Sequence, residues 1–181
     1  VERIARYAPS VDIHVKRTET AFPERELEYN DLDVVLGFEA ILKPPGYMIV
    51  EKLFDDHMTC LVSRNHPANR GDCLTLDEYV SMKHMLISRT GTRIGVIDEW
   101  LAEKGLERRI ALIVPHFLSA PFIVAKTDML LSVPERIAAQ FAGLAPLSVL
   151  PVPKATPAHR SRNILVRLLG PSTQGLIHPA A

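Results

Sequence analysis

The chain has 181 residues, 47% of them hydrophobic, which is enough to bury a core as one large or two small lobes. Its 21 lysines and arginines balance 21 aspartates and glutamates, so no net field exists to hold a polyanion, and no basic run with interleaved aromatics marks a nucleic-acid surface. The longest uncharged run, residues 110–125, falls short of the roughly 20 residues a spanning helix needs and is interrupted by Pro115, His116 and Pro121. With no apolar stretch or cleavage site at the start, a cytoplasmic setting is the expectation.

Val1, Ile4, Ala5 and Ala8 share one face of a first helix. Val11, Ile13 and Val15 then alternate with polar residues, which predicts a half-buried strand. Residues 21–29 form a helix candidate with Pro23 in its first turn, and residues 34–38 a buried strand. Beyond the loop at Pro44, Pro45 and Gly46, residues 47–54 and 58–64 read as two extended segments around a turn at Asp55 and Asp56. The polar connection over residues 65–76 is the expected crossing between lobes.

Residues 76–82 then predict a helix, 84–88 a strand, and 91–103 a helix that buries Ile94, Ile97, Trp100 and Leu101 before Gly105 stops it. Residues 110–114 are nearly all apolar, which suits a strand buried on both faces of a parallel sheet, and Pro115 ends it by removing a donor. An apolar helix, a strand at 129–133, a helix at 134–141 opened by Pro134, and strands at 147–150 and 163–169 follow. Residues 170–181 carry no period and read as a loose tail. The alternation of helix and strand predicts an α/β fold with parallel sheets and right-handed crossovers.

Three places have the residue types to hold a ligand. The run Ser88, Arg89, Thr90, Gly91, Thr92, Arg93 precedes a helix, so hydroxyls, first-turn amides and the Arg89 or Arg93 charge can seat an anion; ordinary capping by Thr90 or Thr92 is the competing reading. The run Arg17, Thr18, Glu19, Thr20 offers a similar seat, against a solvated turn. His116 and Phe117 stand at a strand's carboxyl end, where open α/β sheets bind ligands, and suit a pocket floor; a structural histidine is the alternative there, and the expected role of His84. Cys60 and Cys73 lack zinc or redox spacing and read as unlinked thiols. No G-x-S-x-G elbow occurs, no histidine and carboxylate grouping has metal spacing, and Ser119 near His116 is the only hydroxyl and histidine couple. No enzyme, cofactor or metal is expected.

The segments LDVVLG, LFDDHMTCLVSRNHP, LTLDEYVSMKHMLIS, EKGLERRI, VPHF and VAKTDMLLSVPERIA together resemble the effector-binding domain of LysR-type transcriptional regulators over about residues 1–153. Through V-P-H-F and T-D-x-x-x-x-V-P the chain is most similar to the branch of nodulation regulators and of regulators responding to salicylate and nitroaromatic compounds. The resemblance implies a two-lobed fold like the type 2 periplasmic binding proteins, with an aromatic acid or phenol held in a cleft between lobes. It implies a first lobe of residues 1–74 plus 149–169 and a second of residues 75–148. Effector contacts carry over to Thr18 and Thr20, and to Val114, Pro115, His116 and Phe117. The family places a winged helix-turn-helix, a linker helix and a first strand ahead of Val1, and a tryptophan-bearing strand, an Asp-Pro and a helix after Pro153. The expectation is therefore a fold incomplete at both ends, promoter DNA bound only through the part ahead of Val1, and a homo-oligomer, dimer or tetramer, in the intact regulator. A solute-binding protein of transport shares this architecture and is the alternative.

Overall fold

The computed structural model describes residues 2–18, 22–70, 73–88, 91–153 and 161–167. Its elements run α1 (Glu2–Tyr7), α2 (Glu24–Glu28), β1 (Val35–Phe38), α3 (Glu39–Leu42), β2 (Ile49–Asp56), β3 (Met58–Ser63), α4 (Leu76–Ser81), β4 (Lys83–Ile87) and α5 (Val96–Glu103). Then follow β5 (Arg109–Val114), a 3-10 turn (Phe117–Ser119), α6 (Ala120–Val124), β6 (Met129–Pro134), α7 (Glu135–Leu144), β7 (Leu147–Pro151) and β8 (Ser161–Arg167). The chain divides into one unit of Val1–Lys52 with Ile164–Ala181 and a second of Leu53–Asn163. The polar connection at residues 65–76 lies inside the second unit, because β3 just before it pairs with β6 and β7.

In the first unit three strands lie in the order β1, β8, β2 over a core of Leu27, Val35, Leu42, Met48, Ile164 and Val166. Gly37 in β1 packs closely on α3: a Cβ there would stand 3.0 Å from Leu42 Cδ1, so the leucine side chain would have to shift to admit it. Residues 11–15 do not form the expected strand. Alternation specifies a face but no partner, and the backbone of this stretch pairs with no strand among the described residues, so Val15 is left 91% exposed.

The second unit is built on five strands in the order β5, β4, β6, β3, β7. β4 runs parallel to both β5 and β6, whereas β3 is antiparallel to β6 and β7, so the sheet is mixed and not the parallel one expected. Apolar strand composition reports burial and carries no direction, which is why the pattern alone missed this. β5 is an edge strand with one neighbour and only Val114 of its residues is buried, which corrects the reading of a strand covered on both faces.

Helices fill both faces of this sheet. On one, Ala120 and Val124 of α6 and Ala138 and Phe141 of α7 pack on Leu61, Met85, Leu131 and Val133. On the other, Tyr79 of α4 and Ile97 and Leu101 of α5 pack on Cys60, Val62, Leu130 and Leu150. α4 starts where it does because Thr75 Oγ1 accepts the Glu78 amide at 3.2 Å while Glu78 accepts the Thr75 amide at 2.9 Å, a reciprocal cap. α5 ends at Gly105, whose φ of 68° is the left-handed conformation glycine adopts without strain.

Candidate functional site

The carboxyl ends of β4 and β5 lie side by side. Their parallel register sets Ile87 opposite Val114, and the Ser88 amide donates to the Val114 carbonyl at 3.0 Å. Val114 is buried and anchors the end of the strand; Pro115, with no N–H to offer, turns the chain out of the sheet. His116 then precedes the 3-10 turn and Phe117 opens it, leading into α6. The His116 ring is exposed and Phe117 is 44% exposed, so neither is enclosed as a pocket floor would be. An edge strand followed by a one-turn 3-10 helix has only one side covered, which is the physical reason. Ser119 Oγ donates to the His116 backbone carbonyl at 3.0 Å, not to the imidazole, so the hydroxyl and histidine couple is a local turn bond.

The helix expected from residue 91 begins at Val96. Gly91 sits at φ 76°, residues 91–95 have no regular structure, and Ile94 is 67% exposed where burial was expected. The Gly95 amide at the helix start donates to Asp98 at 2.7 Å, so the protein's own carboxylate occupies that donor. Gly95, not Thr92, stands at the helix start: Thr92 Oγ1 lies 3.1 Å from Ser88 Oγ, and Arg93 is exposed in the loop. Arg89, Thr90 and Thr20 lie outside the described residues. Thr18 is half-buried at the end of the irregular stretch.

Behind this edge lies a buried polar network that the residue patterns did not signal. Arg108, its side chain 2% exposed, donates from Nε and Nη2 to the two Asp98 oxygens at 2.7 and 2.9 Å. Its Nη1 donates to the Tyr79 hydroxyl at 3.0 Å, which lies 2.8 Å from Ser132 Oγ. Burial pushes the Asp98 carboxyl up, but its bonds to Arg108 prevail and leave it below the ordinary carboxylate range. His84 is fully buried; one ring nitrogen lies 2.7 Å from the Tyr79 carbonyl, Nδ1 has no partner, and burial pushes the imidazole down to about 4. It is the structural histidine expected. Cys60 and Cys73 are unlinked, and burial pushes the Cys60 thiol up to about 12, which makes it inert.

The fold also brings Asp56, His57 and Glu135 together, with one ligand atom from each within 4.8 Å of the others. The sequence expectation is that no histidine and carboxylate grouping has metal spacing; this one is formed in space, because Glu135 arrives from a distant segment. Asp56 Oδ1 accepts the Arg136 amide at 3.4 Å and the Glu135 amide donates to the His57 carbonyl at 2.7 Å, so the group fastens the start of α7. Among the described residues no helix is long and apolar enough to cross a membrane.

Comparison with known proteins bears on all of this. The chain is 30% identical to the HTH-type transcriptional activator NahR of Pseudomonas putida over 154 residues, covering 85% of this chain and 50% of that protein. It is 34% identical to the HTH-type transcriptional regulator SyrM of Rhizobium meliloti over 128 residues, covering 70% of this chain and 38% of that one. It therefore spans half or less of the length of these relatives, which are regulators and not enzymes. The crystal structure of a probable transcriptional regulator from Pseudomonas aeruginosa superposes with a TM-score of 0.81 at 28% identity, covering 92% of this chain and 54% of that one. The regulatory domain of MexT, a transcriptional activator of the same species, gives 0.75 at 23% identity, covering 92% and 78%. The fold is thus that of LysR effector-binding domains, the type 2 periplasmic-binding-protein-like α/β architecture. The family model for the LysR substrate binding domain matches residues 1–169, and the chain belongs to that family.

Proposed function

We propose that this chain senses a small aromatic acid or phenol for a LysR-type regulator of transcription, binding the compound and releasing it unchanged. The observation that carries the reading is the V-P-H-F segment: Val114 is locked in the sheet, Pro115 redirects the chain, and the His116 ring and Phe117 stand exposed at the carboxyl end of β5 beside Ser88. An imidazole there offers a hydrogen bond to a carboxylate or phenol oxygen, and a phenyl ring offers a face to an aromatic ligand. Thr18, Thr20 and Thr90 are proposed as further polar contacts, with Arg89 or Arg93 supplying charge to an acid. Effector binding would favour one arrangement of the regulator's parts, and promoter contacts would change with it. A homo-oligomer in the cytoplasm, meeting promoter DNA through a segment outside this chain, completes the proposal. The relatives named above are regulators, which favours this reading over a transport protein.

The test is a melting series of the intact regulator with salicylate, benzoate and chlorophenols. A ligand at a hundred times its dissociation constant adds about 2.7 kcal/mol, a clear rise in melting temperature. His116→Ala should abolish the rise for the responding compound without altering the melt of the free protein. A flat response across the panel overturns the aromatic class.

A further inference from the structure

Arg108 stands in the second unit just ahead of β5, and every contact of its guanidinium points inward. A buried ion pair gains little net stability, because attraction between the charges is offset by their desolvation. What such a pair does supply is direction: the planar fork of an arginine admits one carboxylate orientation. Here that carboxylate is Asp98, and its Oδ2 also receives the Gly95 amide at 2.7 Å. Gly95 closes the irregular loop of residues 91–95, and nearer the loop's start Thr92 Oγ1 lies 3.1 Å from Ser88 Oγ. Ser88 in turn holds the Val114 carbonyl through its amide. Hydrogen bonds at either end, joined by the backbone of residues 92–95, therefore link the buried guanidinium to the strand end that carries His116.

We infer that Arg108 is the positioning residue of the effector seat: by locking Asp98 it fixes the Gly95 end of the loop and so where Thr92 and Arg93 are presented. Arg108 itself touches no ligand. The Tyr79 hydroxyl, itself 2.8 Å from Ser132 Oγ, holds the guanidinium from behind, so the arrangement is set before any ligand arrives. This rests on the effector reading above for the identity of the seat, but its structural half stands apart from that reading.

The experiment uses the intact regulator carrying Arg108→Lys, which keeps the buried charge neutralised and removes the fork, with Asp98→Asn as a second, isosteric variant. Amide exchange is recorded first without ligand. The Gly95 amide, which Asp98 holds, should exchange about tenfold faster in both variants, while the amides of β6 stay within about twofold of wild type. Salicylate, or whichever panel compound binds the wild type, should then bind about tenfold more weakly, with the melt of the free protein still cooperative. Unchanged exchange of the Gly95 amide in the folded variants overturns the inference. So does acceleration throughout the sheet, since that shows a pair supporting the whole core. If the wild type binds no compound in the panel, the effector reading fails, while the exchange pattern still decides whether Arg108 sets the loop.

Discussion

The two faces of the five-stranded sheet are filled by different means. One face is filled mainly by apolar side chains, with Leu61, Met85, Leu131 and Val133 meeting α6 and α7 and no buried charge among them. The other places Tyr79, His84, Arg108 and Asp98 among Cys60, Leu130 and Leu101. Apolar packing is non-directional and tolerates small shifts, whereas a buried guanidinium fork tolerates very few. The face that carries the fork is also the one on which α5 and its preceding loop are set. The contrast teaches that volume holds this unit together while polar geometry decides where its edge loops stand.

Breaking the polar face should have the largest effect. Arg108→Met leaves the half-buried Asp98 without a countercharge and should destabilise the second unit by about 3 kcal/mol, read by urea unfolding through the fluorescence of Trp100, the chain's only tryptophan. Replacing Asp98 by Leu as well should recover part of that loss; no recovery would mean that the arginine's packing, not its charge, matters. On the apolar face Leu131→Ala opens a cavity under α6 and α7 and should cost about 2–5 kcal/mol in the same assay, with no change in which loop amides exchange. A cost below about 1 kcal/mol would show that the face collapses around the gap.

Acid distinguishes the faces next. The His84 imidazole is held down at about 4, against about 6.5 in the unfolded chain, because burial penalises its charged form. Its contribution is therefore fully present above pH 6.5 and is lost as pH falls from 6.5 towards 4, about 3 kcal/mol in all. His84→Gln should flatten the stability profile across that window, and an unchanged profile would place the acid sensitivity elsewhere. The smallest effect belongs to the cap of α4: Thr75→Ala should cost about 1 kcal/mol, and Thr75→Ser nearly nothing, by the same unfolding curve.

What was legible in the sequence follows the same division. Apolar periodicity located α4, β4, β6, α7 and β7 to within a few residues, because each buries a face of its own. It failed at residues 11–15, where alternation exists without a partner strand among the described residues, and at residues 91–95, where Ile94 suggested a buried helical face yet Gly91 is left-handed and Gly95 extended. Strand direction and the edge position of β5 depend on neighbours distant in the chain. The Asp98, Arg108, Tyr79 and Ser132 network, and the meeting of Asp56 and His57 with Glu135, were invisible for the same reason: no local rule links such spacings. Of the candidate site, the sequence indicated the strand end at residues 114–117 and the strand beside it, but not that His116 stands exposed.

The most direct test of the account is amide exchange of the intact regulator with and without saturating salicylate or another panel compound that raises its melting temperature. The account predicts protection concentrated at the amides of Val114, His116 and Phe117, of Ser88 and of residues 91–95, and its loss in His116→Ala. Protection confined to other segments, with these amides unmoved, would contradict it.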